Sequence, residues 1–258
     1  MRQLLQSMRA SARGSGRFVA LGAILALLGM GVLAGCSVGV PSVTIPSASS
    51  ILDKAKQPGW KDATFTFTSK VQGASSLGPV TSNETGNGKL TTNPQRSDIT
   101  YSGSSVVGST QLPSSGEIIT DGTTAYIKPT GQTLWTKLSD ANVGNSAGGA
   151  AVGAGLTSLT NLQNIQFVGV ETINGVSTWH VKGDTAGSAS ASGVSGSATG
   201  TVNLWVRQDN FYPVQIVVHQ DVTGSQGNGT VDETVQFTAW DTGITITPPP
   251  ANEVTTGL

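Results

Sequence analysis

The run Ala63-Thr64-Phe65-Thr66-Phe67-Thr68-Ser69-Lys70-Val71 decides the fold. Ala63, Phe65, Phe67, Ser69 and Val71 alternate with Thr64, Thr66, Thr68 and Lys70, so small or apolar side chains take one face and hydroxyls with a charge take the other. Such a strand covers a core or cavity on one side and meets water on the other, as antiparallel sheets do. The alternation returns later in the chain. Val202, Leu204 and Val206 share a face, as do Val214, Ile216, Val218 and Val222, and again Val231, Val235, Phe237 and Ala239. One-sided strands in succession predict a single large antiparallel sheet.

The connections fit that sheet. Asp121-Gly122 and Asn174-Gly175 are hairpin signals, and Asn93-Pro94 marks a turn between two polar, weaker strands at residues 81–91 and 96–102. Helix is scarce. Ser49 or Ser50 is placed to cap a short helix through Ile51, Leu52 and Ala55, ended by Pro58-Gly59. Residues 144–155 are a Gly-rich run without either phosphate-loop spacing. After it, Leu156, Leu159 and Leu162 recur at helical spacing and predict a short amphipathic helix with its leucines inward. Residues 183–200 are almost wholly Gly, Ala, Ser and Thr, too little apolar surface to order itself. Residues 244–246 supply a short closing segment, Pro248 to Pro250 end the fold, and residues 251–258 trail as a tail.

Upstream of the sheet the chain is a leader. Residues 1–17 carry Arg2, Arg9, Arg13 and Arg17 with no acid, and residues 18–33 are uncharged and apolar. A basic start followed by a short apolar core is a secretory signal, and the core is shorter than the roughly 20 residues of a spanning helix. It ends in Leu33-Ala34-Gly35-Cys36, which holds the only cysteine. This segment resembles the lipobox of bacterial lipoprotein precursors. The resemblance implies diacylglyceryl transfer to the Cys36 thiol and cleavage between Gly35 and Cys36. Two acyl chains are enough for stable anchoring, where one is marginal. Residues 36–50, with Pro41 and Pro46, then form a tether.

Charge and composition narrow the function. Removing residues 1–35 takes four of the 14 Lys plus Arg and none of the 15 Asp plus Glu, leaving 10 against 15, a formal net charge of −5. No basic run survives, which argues against nucleic acid and against electrostatic attachment to anionic lipid. The two histidines, His180 and His219, sit on polar sides of strands, and no GxSxG, HExxH or zinc-ligand spacing is present. Asp232-Glu233 and Asp241 lie at strand edges, where solvated carboxylates are common. The reading is of a non-enzyme with no cofactor, metal site or catalytic residue.

The order of segments is more specific than any one of them. A lipobox, a linker, a short helix and the strand opening Ala63-Thr64-Phe65-Thr66-Phe67 come first, then the hairpin Thr120-Asp121-Gly122-Thr123-Thr124-Ala125-Tyr126. Val168-Gly169-Val170-Glu171-Thr172-Ile173-Asn174-Gly175, Trp179-His180-Val181-Lys182-Gly183 and Leu204-Trp205-Val206 follow. Over residues 51–250 this resembles the LppX/LprG lipoprotein family, and more distantly the LolA and LolB carriers. The resemblance implies a mainly β, α+β fold: a strongly curved antiparallel sheet, a half-barrel, with a few short helices over its concave face. Between them it implies an apolar cavity for acyl chains, here lined by Phe65, Phe67, Val71, Leu156, Leu159, Leu162, Val202, Leu204, Val206, Ile216, Val218 and Phe237. The expected protein is a monomer held through lipidated Cys36 on the extracytoplasmic face of the cell membrane. It binds an acyl-chain lipid or glycolipid and works with an envelope transporter. Two alternatives stand beside this: an envelope module with a filled core that binds a protein partner through Trp60, Trp135 or Trp205, and, third, a hydrolase. The Gly-rich run at 144–155 and the stretch at 184–200 depart from the family pattern.

Overall fold

A computed structural model describes residues 45–57, 59–75, 78–122, 124–138, 159, 162–191, 194–224 and 227–256. It opens on α1, Ala48–Lys56, the one α-helix among the described residues. Ser47, not Ser49 or Ser50, is the cap: its hydroxyl accepts from the Ser50 N–H at 3.2 Å. Lys54 and Lys56 lie in the last turn, where cations favour the helix dipole. Ile51, Leu52 and Ala55 are buried, as their spacing predicts. The tether expected through residue 50 therefore gives way to helix at Ala48.

Twelve strands follow. β1 (Asp62–Ser75), β2 (Gly78–Thr92), β3 (Gln95–Val107), β4 (Thr110–Asp121), β5 (Thr124–Pro129) and β6 (Trp135–Leu138) form a first meander. A second comprises β7 (Gln163–Ile173), β8 (Val176–Ala191), β9 (Val194–Arg207), β10 (Pro213–Gly224) and β11 (Gly227–Trp240). β12 is Val254–Thr256, preceded by a 3-10 turn at Ala251–Glu253. Pairing of β1 with β11 joins the meanders into one open, curved sheet, β12-β6-β5-β4-β3-β2-β1-β11-β10-β9-β8-β7. It is antiparallel except for the β12–β6 contact and has the form of a half-barrel. Among the described residues no helix is long and apolar enough to cross a membrane.

The alternation read at residues 63–71 holds: Ala63, Phe65, Phe67 and Val71 are buried. Phe65 stands opposite Gly88 and Phe67 opposite Gly86. Two phenyl rings lie across glycines of the next strand, so neither glycine has room for a methyl. At Asn174-Gly175 both residues take positive φ, 51° and 79°, which is what a tight hairpin of that type demands.

Four expectations change. Instead of a few helices there is α1 and the 3-10 turn among the described residues. Leu156 and the Gly-rich run lie outside those residues, while Leu159 is buried in a turn and Leu162 leads as extended chain into β7. The stretch at 183–200 continues β8 and β9 as one ladder that runs to Ala191 opposite Val194. Backbone pairing needs no apolar side chains, and Ala198, paired with Val222 of β10, is buried. Residues 244–246 form no strand. They strap the sheet's outer face, where Ile246 is buried against Ile119 and Trp135, and lead past Pro250 to β12, so the expected tail adds an edge strand.

Candidate functional site: the concave face

Alternation fixes what faces the trough. At the end covered by α1, Ile51, Leu52 and Ala55 pack on Phe65, Phe67, Val202, Leu204, Val206, Ile216, Val218 and Phe237, with Trp60, Trp179 and Leu159 in the same cluster. Leu162 packs against it partly buried. Towards the opposite end Val71 sits with Val80, Ala198, Val222 and Val231 in a second apolar cluster. Of the twelve expected lining residues, nine are thus in one cluster, Leu162 adjoins it, Val71 is in the other, and Leu156 is not described. Gly35 and Cys36 also lie outside the described residues.

A polar belt crosses the trough at mid-height. Ser69 of β1 has Glu84 of β2 on one side and Glu233 of β11 on the other, and the row continues through Gly103 to Ser114. Glu84 and Glu233 are 4 % and 2 % exposed. Glu84 accepts from the Ser82 and Ser114 hydroxyls at 3.3 and 3.1 Å. Burial nevertheless pushes its carboxyl above the usual carboxylate value, with those hydroxyls opposing. Burial and the nearby Glu84 charge likewise raise the Tyr101 phenol. The sequence carried a signal for the belt. Counting by twos from Val80 to Leu90 places Ser82, Glu84, Gly86 and Gly88 inward, but a strand so polar reads as solvated.

Three indole N–H groups mark the α1 end. Those of Trp60, Trp179 and Trp240 are buried and find no acceptor among the described residues. Trp179 tilts against Phe167 at 6.0 Å between ring centres, and Trp240 tilts against Tyr212 and stacks on Phe237.

The outer face carries different chemistry. His180, expected in solvent, is 7 % exposed and stacks on Trp205 with ring centres 4.2 Å apart. Its Nδ1 lies 2.7 Å from Glu171 Oε1 and its Nε2 3.0 Å from Asn203 Oδ1, and the Trp205 indole donates to Glu171 Oε2 at 2.8 Å. The Trp205 and His180 hydrogen bonds hold the Glu171 carboxyl below its ordinary value. The segments 168–175, 179–183 and 204–206 thus meet through these side chains. Trp60 and Trp135, weighed above as surface anchors, are buried. His219 stays exposed beside Asp232 at 2.6 Å. Two adjoining clefts of about 440 and 420 Å³ lie along β11, β1, β2 and β3, lined by threonines, asparagines and Ser102 together with Lys70, Glu84 and Asp232. Among the described residues no His, Cys, Asp and Glu are grouped to hold a metal ion.

Comparison with known proteins bears on the whole sheet. Among solved structures the chain is similar to LprF from Mycobacterium bovis, at 15% identity and a TM-score of 0.44 over 78% of this chain and 96% of that one. It is similar to the lipoprotein LppX from Mycobacterium tuberculosis, at 17% identity and a TM-score of 0.38 over 77% and 99%. A LolA superfamily protein from Nitrosomonas europaea aligns at 12% identity and a TM-score of 0.28 over 74% and 94%. No curated protein sequence gives a significant match. The model of the LppX_LprAFG lipoprotein family matches residues 47–248, from the helix cap through the outer-face strap, and the chain belongs to that family.

Proposed function

We propose that this protein is an envelope lipoprotein that binds an acyl-chain lipid or glycolipid along the concave face of its half-barrel and carries or presents it at the membrane to which Cys36 anchors it. The carrying observation is the trough itself: a curved sheet whose inner face bears two apolar patches, one of them capped by a single nine-residue helix. Ordered chains of methylene groups are the chemistry such a face favours, at roughly 25 cal/mol per Å² of apolar surface removed from water. Membership of a lipoprotein family supports the envelope setting, and the negative balance of the mature chain fits anchoring by acyl chains rather than by basic side chains.

The test is native mass spectrometry of the anchored protein, solubilised from membranes, alongside an organic extract of the denatured protein, which releases only non-covalent lipid. A bound species of lipid mass, recovered in the extract, is the expected result. Its absence after incubation with mixed envelope lipids would leave a filled core and end the carrier reading.

A further inference from the structure

Trp60 and Trp179 are each 5 % exposed, so each is more than nine-tenths buried. Their indole N–H groups have no acceptor among the described residues, and the same is true of Trp240. An indole N–H can only donate, and leaving such a donor buried and unpaired costs about 1–3 kcal/mol. One orphan is a defect a fold can carry, but three at one end of one trough ask for a common cause. Trp60 and Trp179 belong to the apolar cluster that α1 covers, and Trp240 packs against it. Trp179 lies opposite Val206 at the end of the β8–β9 ladder, and Trp240 lies opposite Ala63 at the end of β11. All three therefore stand at the α1 end, well away from the belt of Glu84 and Glu233. Among the described residues the belt and the α1 end are chemically unlike: the belt offers carboxylates and hydroxyls, whereas the α1 end offers apolar walls and indole donors without acceptors.

We propose that the α1 end recognises the acyl-ester carbonyls of the bound lipid, with the Trp60 and Trp179 indoles donating to them and Trp240 as an auxiliary donor. The proposal rests on the carrier reading above and adds the ligand's chemistry and its direction. A carbonyl oxygen brings the acceptor these donors lack, and the chains joined to it suit the surrounding Ile51, Leu52, Phe65 and Phe237. A pure hydrocarbon would satisfy the walls and leave the donors orphaned. The ester group therefore lies under the helix, and the chains run along the trough towards the belt.

The experiment compares 1,2-dioctanoylglycerol with its ether counterpart 1,2-dioctylglycerol, which keeps the chains and loses both carbonyls, on the full protein in detergent. The ester is expected to bind about tenfold more tightly, the worth of one or two well-made hydrogen bonds. In W60F/W179F, which keeps an aromatic ring at each position, that preference should vanish while the ether binds as before. Should the double variant fail to fold, W179F alone is read. Independently, the assigned indole proton resonances of Trp60 and Trp179 should move downfield with the ester and stay in place with the ether. No ester preference in the parent, or a preference that survives in the variants with unmoved indole resonances, overturns the proposal while leaving a carrier intact. No binding of either lipid removes the carrier reading and this one with it.

Discussion

Glu84 and Gly86, neighbours on the inward face of β2, show what single positions contribute. Gly86 is there because Phe67 lies across it: a methyl would run into both that ring and the Thr100 carbonyl. Gly86→Ala is therefore expected to destabilise by about 1–3 kcal/mol, the usual cost of overpacking, read as a lower urea midpoint. An unchanged midpoint would mean that the ring and the Thr100 carbonyl both give way without cost. At Glu84 the sign of a pH effect follows from burial. The folded carboxyl holds its proton more tightly than the unfolded one, so its contribution to stability is complete below the ordinary glutamate value and is lost as pH rises through the raised one. The remaining charges do not rescue it: the described residues of the concave face include Glu233 and Tyr101 but no Lys, Arg or His. Glu84→Gln keeps the shape and the capacity to bond Ser82 and Ser114. Its stability should stay level over the pH range where the parent's falls, and thermal melts from pH 5 to 8 would show it; parallel pH curves would contradict the assignment.

At the scale of elements, the strands whose faces differ were legible and those whose faces agree were not. Residues 63–71 and 202–206 announce themselves because one side is apolar; residues 184–200 do not, since glycine, serine and alanine give both faces the same polarity. Their order comes from the neighbouring ladders, where Thr185 pairs with Gly200 and Ala198 with Val222, and no local pattern reports a partner that far along the chain. The outer-face strap was hidden for a related reason. It is tied at its start by a carboxylate far away in sequence: Asp62 accepts from the Thr242 N–H at 2.8 Å, the Thr242 hydroxyl at 3.0 Å and the Gly243 N–H at 3.1 Å. Burial opposes ionisation of Asp62, but these hydrogen bonds outweigh it and hold the carboxyl below its ordinary value. Its contribution is thus present at neutral pH and is lost as pH falls through that lowered value. Asp62→Ala should release residues 241–246, at a cost of about 2 kcal/mol for hydrogen bonds to a charged group. Hydrogen exchange should then quicken at Thr242, Gly243 and β12 and leave β10 as it was. Exchange unchanged at the strap would show that Arg96, which donates to the Ile246 carbonyl at 2.9 Å, suffices to hold it.

For the whole molecule, the proposed lipid anchor and the sheet bear together on where the protein works. The site was half legible: the apolar lining could be counted out by twos, whereas the buried donors and the acid belt depend on which strands become neighbours, and β1 meets β11 across some 170 residues of chain. The proposed anchor, in contrast, is read wholly from local sequence, Leu33-Ala34-Gly35-Cys36. Between Cys36 and the first turn of α1 stand 11 residues, 37–47, which extended would reach no more than about 36–40 Å. Under the anchor proposal the trough would work close to the bilayer, where acyl chains are supplied. Cleaved before Cys36, the chain would carry a formal charge of −5, so under the anchor proposal washing membranes with 1 M salt, which shrinks the screening length to about 3 Å, is expected to leave the protein in place. The intact mass should equal the chain from Cys36 plus a diacylglyceryl group or a more heavily acylated form. Under the same proposal Cys36→Ala, which removes the thiol that would be acylated, should instead accumulate at the mass of the uncleaved precursor. A Cys36→Ala chain processed to the parent's length, or a parent released by salt, would replace the lipid anchor with an ordinary secretory leader and move the trough away from the membrane.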